Sequence, residues 1–146
     1  MSISVHNRQR AVPFNLPWLR KFAAIAWVNC RDESGDARFA LKNLEEVEAS
    51  VVSDRLIANI HQRFMRVAGP TDVITFDYGE IVMSAERAKE NAARYSQSIE
   101  AELALYTVHG LLHLNGFEDM TPREASRMRR VQTRVVKLCL AQMIAL

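Results

Sequence analysis

An α+β or α/β fold with a mixed β-sheet is the class this sequence predicts. Short segments that alternate apolar and polar residues read as strands, and longer segments with apolar residues three and four apart read as helices. The two kinds are interspersed, with no repeat, linker or low-complexity tract between them, so they have to share one core. At 146 residues the chain has the length of one compact domain, 1–146, long enough to bury that core. Hydrophobic residues at 49% and charged residues at 25% exclude disorder.

The first strand is expected at Ser2–Asn7, with Ile3 and Val5 on one face. Asn15-Leu16-Pro17 opens a helix, because a proline in the first turn lacks only an N–H that had no helical partner. Leu19, Phe22, Ala23, Ala26 and Trp27 continue it, and a loop at 32–36 containing Gly35 ends it. Leu44–Val52 alternates as a second strand, and Ser53-Asp54 caps a helix reaching about Arg66. After the break at Gly69-Pro70, strands are expected at Val73–Phe76 and Glu80–Met83, separated by Asp77-Tyr78-Gly79. Ser84 caps a helix to about Tyr95, and Ser98 opens another to about Leu114. Thr121-Pro122-Arg123-Glu124 combines a capping box with proline at the first helical position, and the helix it starts runs through Met128, Val131, Val135, Leu138 and Met143.

The net charge of +2 hides an uneven distribution. Residues 1–31 and 120–146 each carry +5, whereas 32–54 carry −5 and 55–119 carry −3. The two basic ends can meet phosphates; the plainer alternative is a solvated helix face. Cys30 and Cys139 lie far apart in apolar helical patterns and read as buried thiols, not as a disulfide framework. The opening MSISVHNRQR has no apolar core of a signal peptide, and no stretch reaches the roughly eighteen apolar residues of a membrane span. A soluble cytoplasmic protein is expected.

The chemistry concentrates in His109-Gly-Leu-Leu-His113-Leu-Asn-Gly116-Phe-Glu118-Asp119. Histidines four apart on a helix project from one face, so their imidazoles can converge on one ion. Gly116 permits the left-handed turn that ends a helix and swings Glu118 and Asp119 back towards them. Two histidines and a carboxylate make three ligands and leave a fourth position open, as a catalytic zinc requires. The competing reading is a pair of ordinary histidines, the role expected of His6 and His61. Gly110 stands where a zinc protease of the His-Glu-x-x-His type carries its general base, which argues against peptide hydrolysis. Glycine there is also expected to leave space beside the metal for a phosphodiester.

His109-Gly-Leu-Leu-His113-Leu-Asn-Gly116-Phe117 resembles the signature His-Gly-x-Leu-His-Leu-x-Gly-Tyr-Asp-His of the YbeY family of bacterial rRNA-maturation endoribonucleases. Pro70-Thr71-Asp72-Val73-Ile74-Thr75-Phe76 is similar to that family's Pro-Thr-Asp-Val-Leu-Ser-Phe, and Gly79-Glu80-Ile81-Val82-Met83-Ser84 to its Gly-Asp-Ile-Val-Ile-Ser. The blocks occur in the family's order. The resemblance implies an α+β fold with a mixed four-stranded sheet flanked by helices and the metal motif on a central helix. It implies a zinc-dependent endoribonuclease, one ion per chain, acting on single-stranded RNA in rRNA maturation and ribosome quality control. The implied partners are rRNA, the ribosome and ribosome-assembly proteins.

Carried over by position, the resemblance makes His109 and His113 the first two metal ligands and Asp119 the third, where the family has histidine. Aspartate is a harder, charged ligand that broadens the metal choice towards manganese or iron. The family also places an arginine five residues before the proline of its Pro-Thr-Asp block, in a role towards RNA. Met65 occupies that position here, and neighbouring Arg66 is the expected catalytic substitute if the loop to Gly69 reorients it; Arg63 lies two residues before. These two departures keep an alternative function open: a ribosome-assembly RNA-binding factor with a largely structural metal and weak or lost nuclease activity.

Overall fold

The computed structural model describes residues 2–33, 35–36 and 40–145. Of the loop expected at 32–36, Ser34 lies outside the described residues. The chain runs β1 (Ser2–Asn7), α1 (Leu16–Arg31), a 3-10 turn (Leu41–Asn43), β2 (Glu46–Val52), α2 (Asp54–Met65), β3 (Val73–Phe76), β4 (Glu80–Ser84), α3 (Ala85–Arg94), α4 (Ile99–Leu114) and α5 (Pro122–Ala145).

The helix starts expected from the sequence are closed by side-chain caps. Asn15 accepts from the Trp18 amide, Ser53 from Leu56, Ser84 from Arg87 and Ser98 from Ala101. Such a cap is worth about 1 kcal/mol. The box at Thr121 closes in both directions, Thr121 Oγ1 accepting from the Glu124 amide at 3.1 Å and Glu124 accepting from the Thr121 amide at 3.0 Å. Strand β2 starts two residues later than expected because Leu44 is spent on the turn before it, its amide donating to the Leu41 carbonyl at 3.1 Å.

The sheet has the order β1-β2-β4-β3, with β1-β2 and β2-β4 parallel and β3-β4 antiparallel. It is the expected mixed four-stranded sheet of an α+β fold, and β3 is an edge. Alternation along the strands divides the apolar residues between two faces. Val47, Ala49, Val51, Ile81 and Met83 point into the main core, which they share with α1, α4 and α5. Val52, Ile74 and Val82 point the other way and form a smaller cluster with Ile57 of α2, with Phe76 packed against it.

Helix α4 is the centre of the main core, packing against α1, α3, α5 and strands β3 and β4. Leu103, Leu111 and Leu112 are completely buried, each contributing roughly 1.5–3 kcal/mol by leaving water. Its approach to the sheet is set by Gly110, where an added Cβ would lie 2.9 Å from Ile81 side-chain atoms. Gly110 therefore faces β4, not the ends of the histidine rings. The space expected beside the metal is instead occupied by Ile81, and the glycine serves helix–sheet contact. Among the described residues no helix is long and apolar enough to cross a membrane.

Candidate metal centre

His109 and His113 lie on the one partly exposed face of an otherwise buried helix, one turn apart. Their Nε2 atoms are 3.0 Å from each other, and Asp119 Oδ2 lies 3.5 Å from the first and 3.4 Å from the second. A tetrahedral ion with bonds of about 2.0–2.1 Å holds its ligand atoms about 3.3–3.4 Å apart. The three atoms thus already stand at the spacing of one face of a coordination tetrahedron. They form the His/His/carboxylate group able to hold a metal among the described residues, and neither cysteine belongs to it.

The turn after α4 brings Asp119 back. Gly116 has φ +89°, and its missing side chain lets the Asp36 backbone pass where a Cβ would lie 2.4 Å from that amide nitrogen. The Gly116 amide donates to the His113 carbonyl and the Phe117 amide to the Leu112 carbonyl, both at 3.0 Å. The buried Asn115 side chain fastens the turn from behind, accepting from the Leu41 amide and donating to the Cys30 and Glu33 carbonyls.

Two groups outside α4 orient the rings. The Phe117 carbonyl lies 2.8 Å from His113 Nδ1, and Gln132 Oε1 of α5 lies 2.7 Å from His109 Nδ1. Both oxygens can only accept, so both Nδ1 atoms carry the proton and both Nε2 atoms present lone pairs. Three electron-pair donors then converge with no proton between them, an arrangement that a cation relieves. Burial lowers the His109 pKa below its ordinary value, and the adjacent His113 adds to that effect. The neutral form so favoured is the one that ligates.

The three side chains line a cleft of about 550 Å³, together with Met65, Thr71–Thr75, Asp77, Glu118 and Met120. Thr71 and Asp72 of the Pro70-Thr71-Asp72 block are therefore brought to the same cleft as the metal motif. Asp72 is held there by Arg87 at 3.3 Å and Asn91 at 3.4 Å, and Asn91 also donates to the Tyr106 hydroxyl at 2.7 Å. Met65 lines the cleft, but Arg66 is not among the lining residues. Arg66 ends α2 in a left-handed conformation, φ +56°, which a non-glycine residue adopts at a cost of about 1–2 kcal/mol. His61 has an ordinary polar role, its Nδ1 lying 3.0 Å from the Gly69 carbonyl.

Sequence reasoning missed Gln132 and Asp72 as site residues. Gln132 had a signal: it interrupts the stripe Met128, Val135, Cys139 of α5 that is buried in the core. An amide on such a face needs a partner. Asp72 had none beyond its motif, since its place in the cleft depends on how β3 pairs with β4.

The family model described as Endoribonuclease YbeY matches residues 6–139. A protein described as Endoribonuclease YbeY from Chlorobium phaeovibrioides is 30% identical over 145 residues, covering 94% of this chain and 90% of that protein. One of the same description from Rhodopirellula baltica is 35% identical over 131 residues, covering 77% and 68%. The solution structure of TM1509 from Thermotoga maritima superposes with a TM-score of 0.67 at 24% identity, covering 98% of this chain and 92% of that one, and shares the fold.

Proposed function

Because the chain belongs to the Endoribonuclease YbeY family, we propose that it is a zinc-dependent endoribonuclease of single-stranded RNA, with His109, His113 and Asp119 holding one ion. The observation that carries this reading is the tripod itself: three lone-pair atoms 3.0–3.5 Å apart at the wall of an open cleft. Three protein ligands leave the fourth position to water or substrate, whereas structural zinc closes its shell with four and favours cysteine. When bound, the ion supplies Lewis acidity, polarising a phosphoryl oxygen and lowering the pKa of a water.

The protein's own groups do the rest. Phe117 and Gln132 keep the imidazoles in the ligating tautomer. Asp77, Glu118 and Asp72, the last paired with Arg87, are the further carboxylates of the cleft, and among the described residues no arginine or lysine lines it. These carboxylates disfavour a phosphodiester, and an ion held by His109, His113 and Asp119 would offset that charge. Arg66, exposed at the end of α2 one residue from Met65, acts from the rim by neutralising phosphate. Helix α5 extends the footprint: Arg123, Arg127, Arg129, Arg130, Arg134 and Lys137 are exposed along it against one acid, Glu124. The physiological setting we assign is the cytoplasm, in rRNA maturation and ribosome quality control, with rRNA, the ribosome and assembly proteins as partners, and 1–146 acting as one domain.

Met65 in the cleft, where the family has arginine, favours one second reading: an RNA-binding assembly factor whose ion is structural. Incubating the protein with single-stranded and duplex RNA, with and without a stripping chelator, separates the two. The nuclease cuts single strands faster, stops when stripped and recovers with zinc. Cleavage that survives stripping defeats the proposal, and a metal-loaded protein that binds RNA without cutting it establishes the assembly factor.

A further inference from the structure

Three aromatic rings lie beside the cleft on the other face of the edge strand. Phe76 of β3 packs edge-on against Phe64 of α2, with centroids 5.7 Å apart, and stacks on Tyr78 of the β3–β4 turn at 5.7 Å and 22°. Phe76 is partly buried over the smaller cluster, but Phe64 is 62% exposed and Tyr78 70% exposed. Neither outer ring is loose. The Tyr78 hydroxyl donates to the Glu80 carboxylate while its ring rests on Phe76, and the Arg63 guanidinium lies 5.8 Å from the Phe64 centroid.

With one face of Tyr78 resting on Phe76 and one face of Phe64 under the Arg63 guanidinium, the exposed remainder of each ring is presented at little further entropic cost. The rings also adjoin the cleft along the chain. Met65 and Asp77 line the cleft, and their chain neighbours Phe64, Phe76 and Tyr78 make the aromatic surface. A ligand leaving the cleft across the edge of the sheet meets these rings next. Exposed Arg63 lies over Phe64, and exposed Arg66 follows it by two residues in the chain, matching a ligand that alternates flat rings with negative charge. We propose that Phe64, Phe76 and Tyr78 form a stacking platform for the bases of single-stranded RNA flanking the scissile phosphate. The proposal rests on the RNA-cleaving reading above and adds to it the device that selects single strands. Duplex bases are already stacked and paired, whereas unpaired bases can lie on Tyr78 and Phe64.

The test measures binding of zinc-loaded protein to fluorescein-labelled oligoadenylate, to the same oligomer with abasic sites, and to a duplex, by polarisation before cleavage develops. Tyr78→Ala and Phe64→Ala should each weaken oligoadenylate binding at least about fivefold, the lower end of base–aromatic stacking, and change abasic and duplex binding by less than twofold. Tyr78→Phe should bind like wild type, and Tyr78→Leu like Tyr78→Ala, since a π-face and not apolar bulk is required. Circular dichroism and zinc content report that the variants remain folded and loaded. Equal oligoadenylate affinity in wild type and both alanine variants overturns the platform, even if those variants lose affinity for a protein partner. Equal losses on all three nucleic acids overturn it as well. If wild type neither binds nor cuts any RNA, the functional reading falls and the platform with it; if the alanine variants bind and cut normally, the platform alone falls.

Discussion

Removing the Gln132 side chain should weaken the metal site without touching a ligand. In Gln132→Ala the proton on His109 Nδ1 loses its acceptor at 2.7 Å, and nothing then selects the tautomer that leaves Nε2 free. The ring also loses the contact that fixes its rotation, so the 3.0 and 3.5 Å separations to His113 and Asp119 are no longer held from the α5 side. His113 keeps its own bond to the Phe117 carbonyl, so the damage is confined to one of three ligands. Loss of such an orienting partner costs 10–100-fold in metal affinity, or roughly 1.4–2.7 kcal/mol. Gln132→Glu, which restores an acceptor and makes it anionic, should return affinity to at least the wild-type value. Competition with a chromophoric chelator under anaerobic, metal-buffered conditions measures both. Zinc affinity within twofold of wild type in Gln132→Ala would refute the argument that α5 sets the tautomer of His109.

Among the ligands, His113→Ala should strip the ion, Asp119→Ala should weaken binding less than either histidine change, and Asp119→His should be tolerated; elemental analysis of protein purified without added metal decides each. Gly110→Ala should destabilise the fold by about 1–3 kcal/mol, because the new methyl meets Ile81 at 2.9 Å. In urea unfolding the double variant Gly110→Ala/Ile81→Ala should cost less than the two single changes added together; simple additivity would contradict the contact. On α5, Arg134 is already engaged by Glu33 at 2.6 and 3.0 Å and Arg127 stacks over Phe117 at 4.7 Å. Arg130→Gln should therefore weaken RNA binding on all sequences and lower the salt slope by about 1, with Arg134→Gln the milder change.

The strands and helices were legible because their signals are local. Caps at Asn15, Ser53, Ser84, Ser98 and Thr121 name their helices from side chains within three residues, and all five form. Alternation in β1 and β2 did the same for the sheet. Strand order was a different matter, because Val73–Phe76 and Glu80–Ser84 carry no mark saying that β4 pairs with β2 and leaves β3 at the edge. That placement rests on which face each strand can bury, Ile81 and Met83 inward and Val82 outward, and the family resemblance implied a mixed four-stranded sheet without its strand order. Gly110 was misread for the same reason. Its spacing relative to His109 suggested chemistry, while its neighbour in space, Ile81, lies in another element.

The site shows the same limit and explains it. A helix brings two histidines together by its own geometry, and a glycine after it announces the turn that returns Asp119. Those three were readable from one short segment. What makes the segment a ligand set, however, is that both Nδ1 protons are taken up by oxygens outside α4, one across the turn at Phe117 and one from α5 at Gln132. A His-x-x-x-His pair without those oxygens can rotate, change tautomer or donate to water. The capacity to hold a metal at this place is therefore a property of the packed α4–α5 pair and its turn. It follows that an aspartate can stand where the family has a third histidine without loss of the tripod. The turn sets where that ligand atom lies, and the carboxylate oxygen falls 3.4–3.5 Å from both imidazoles. The identity of the third residue then bears on which ion is preferred more than on whether one is held.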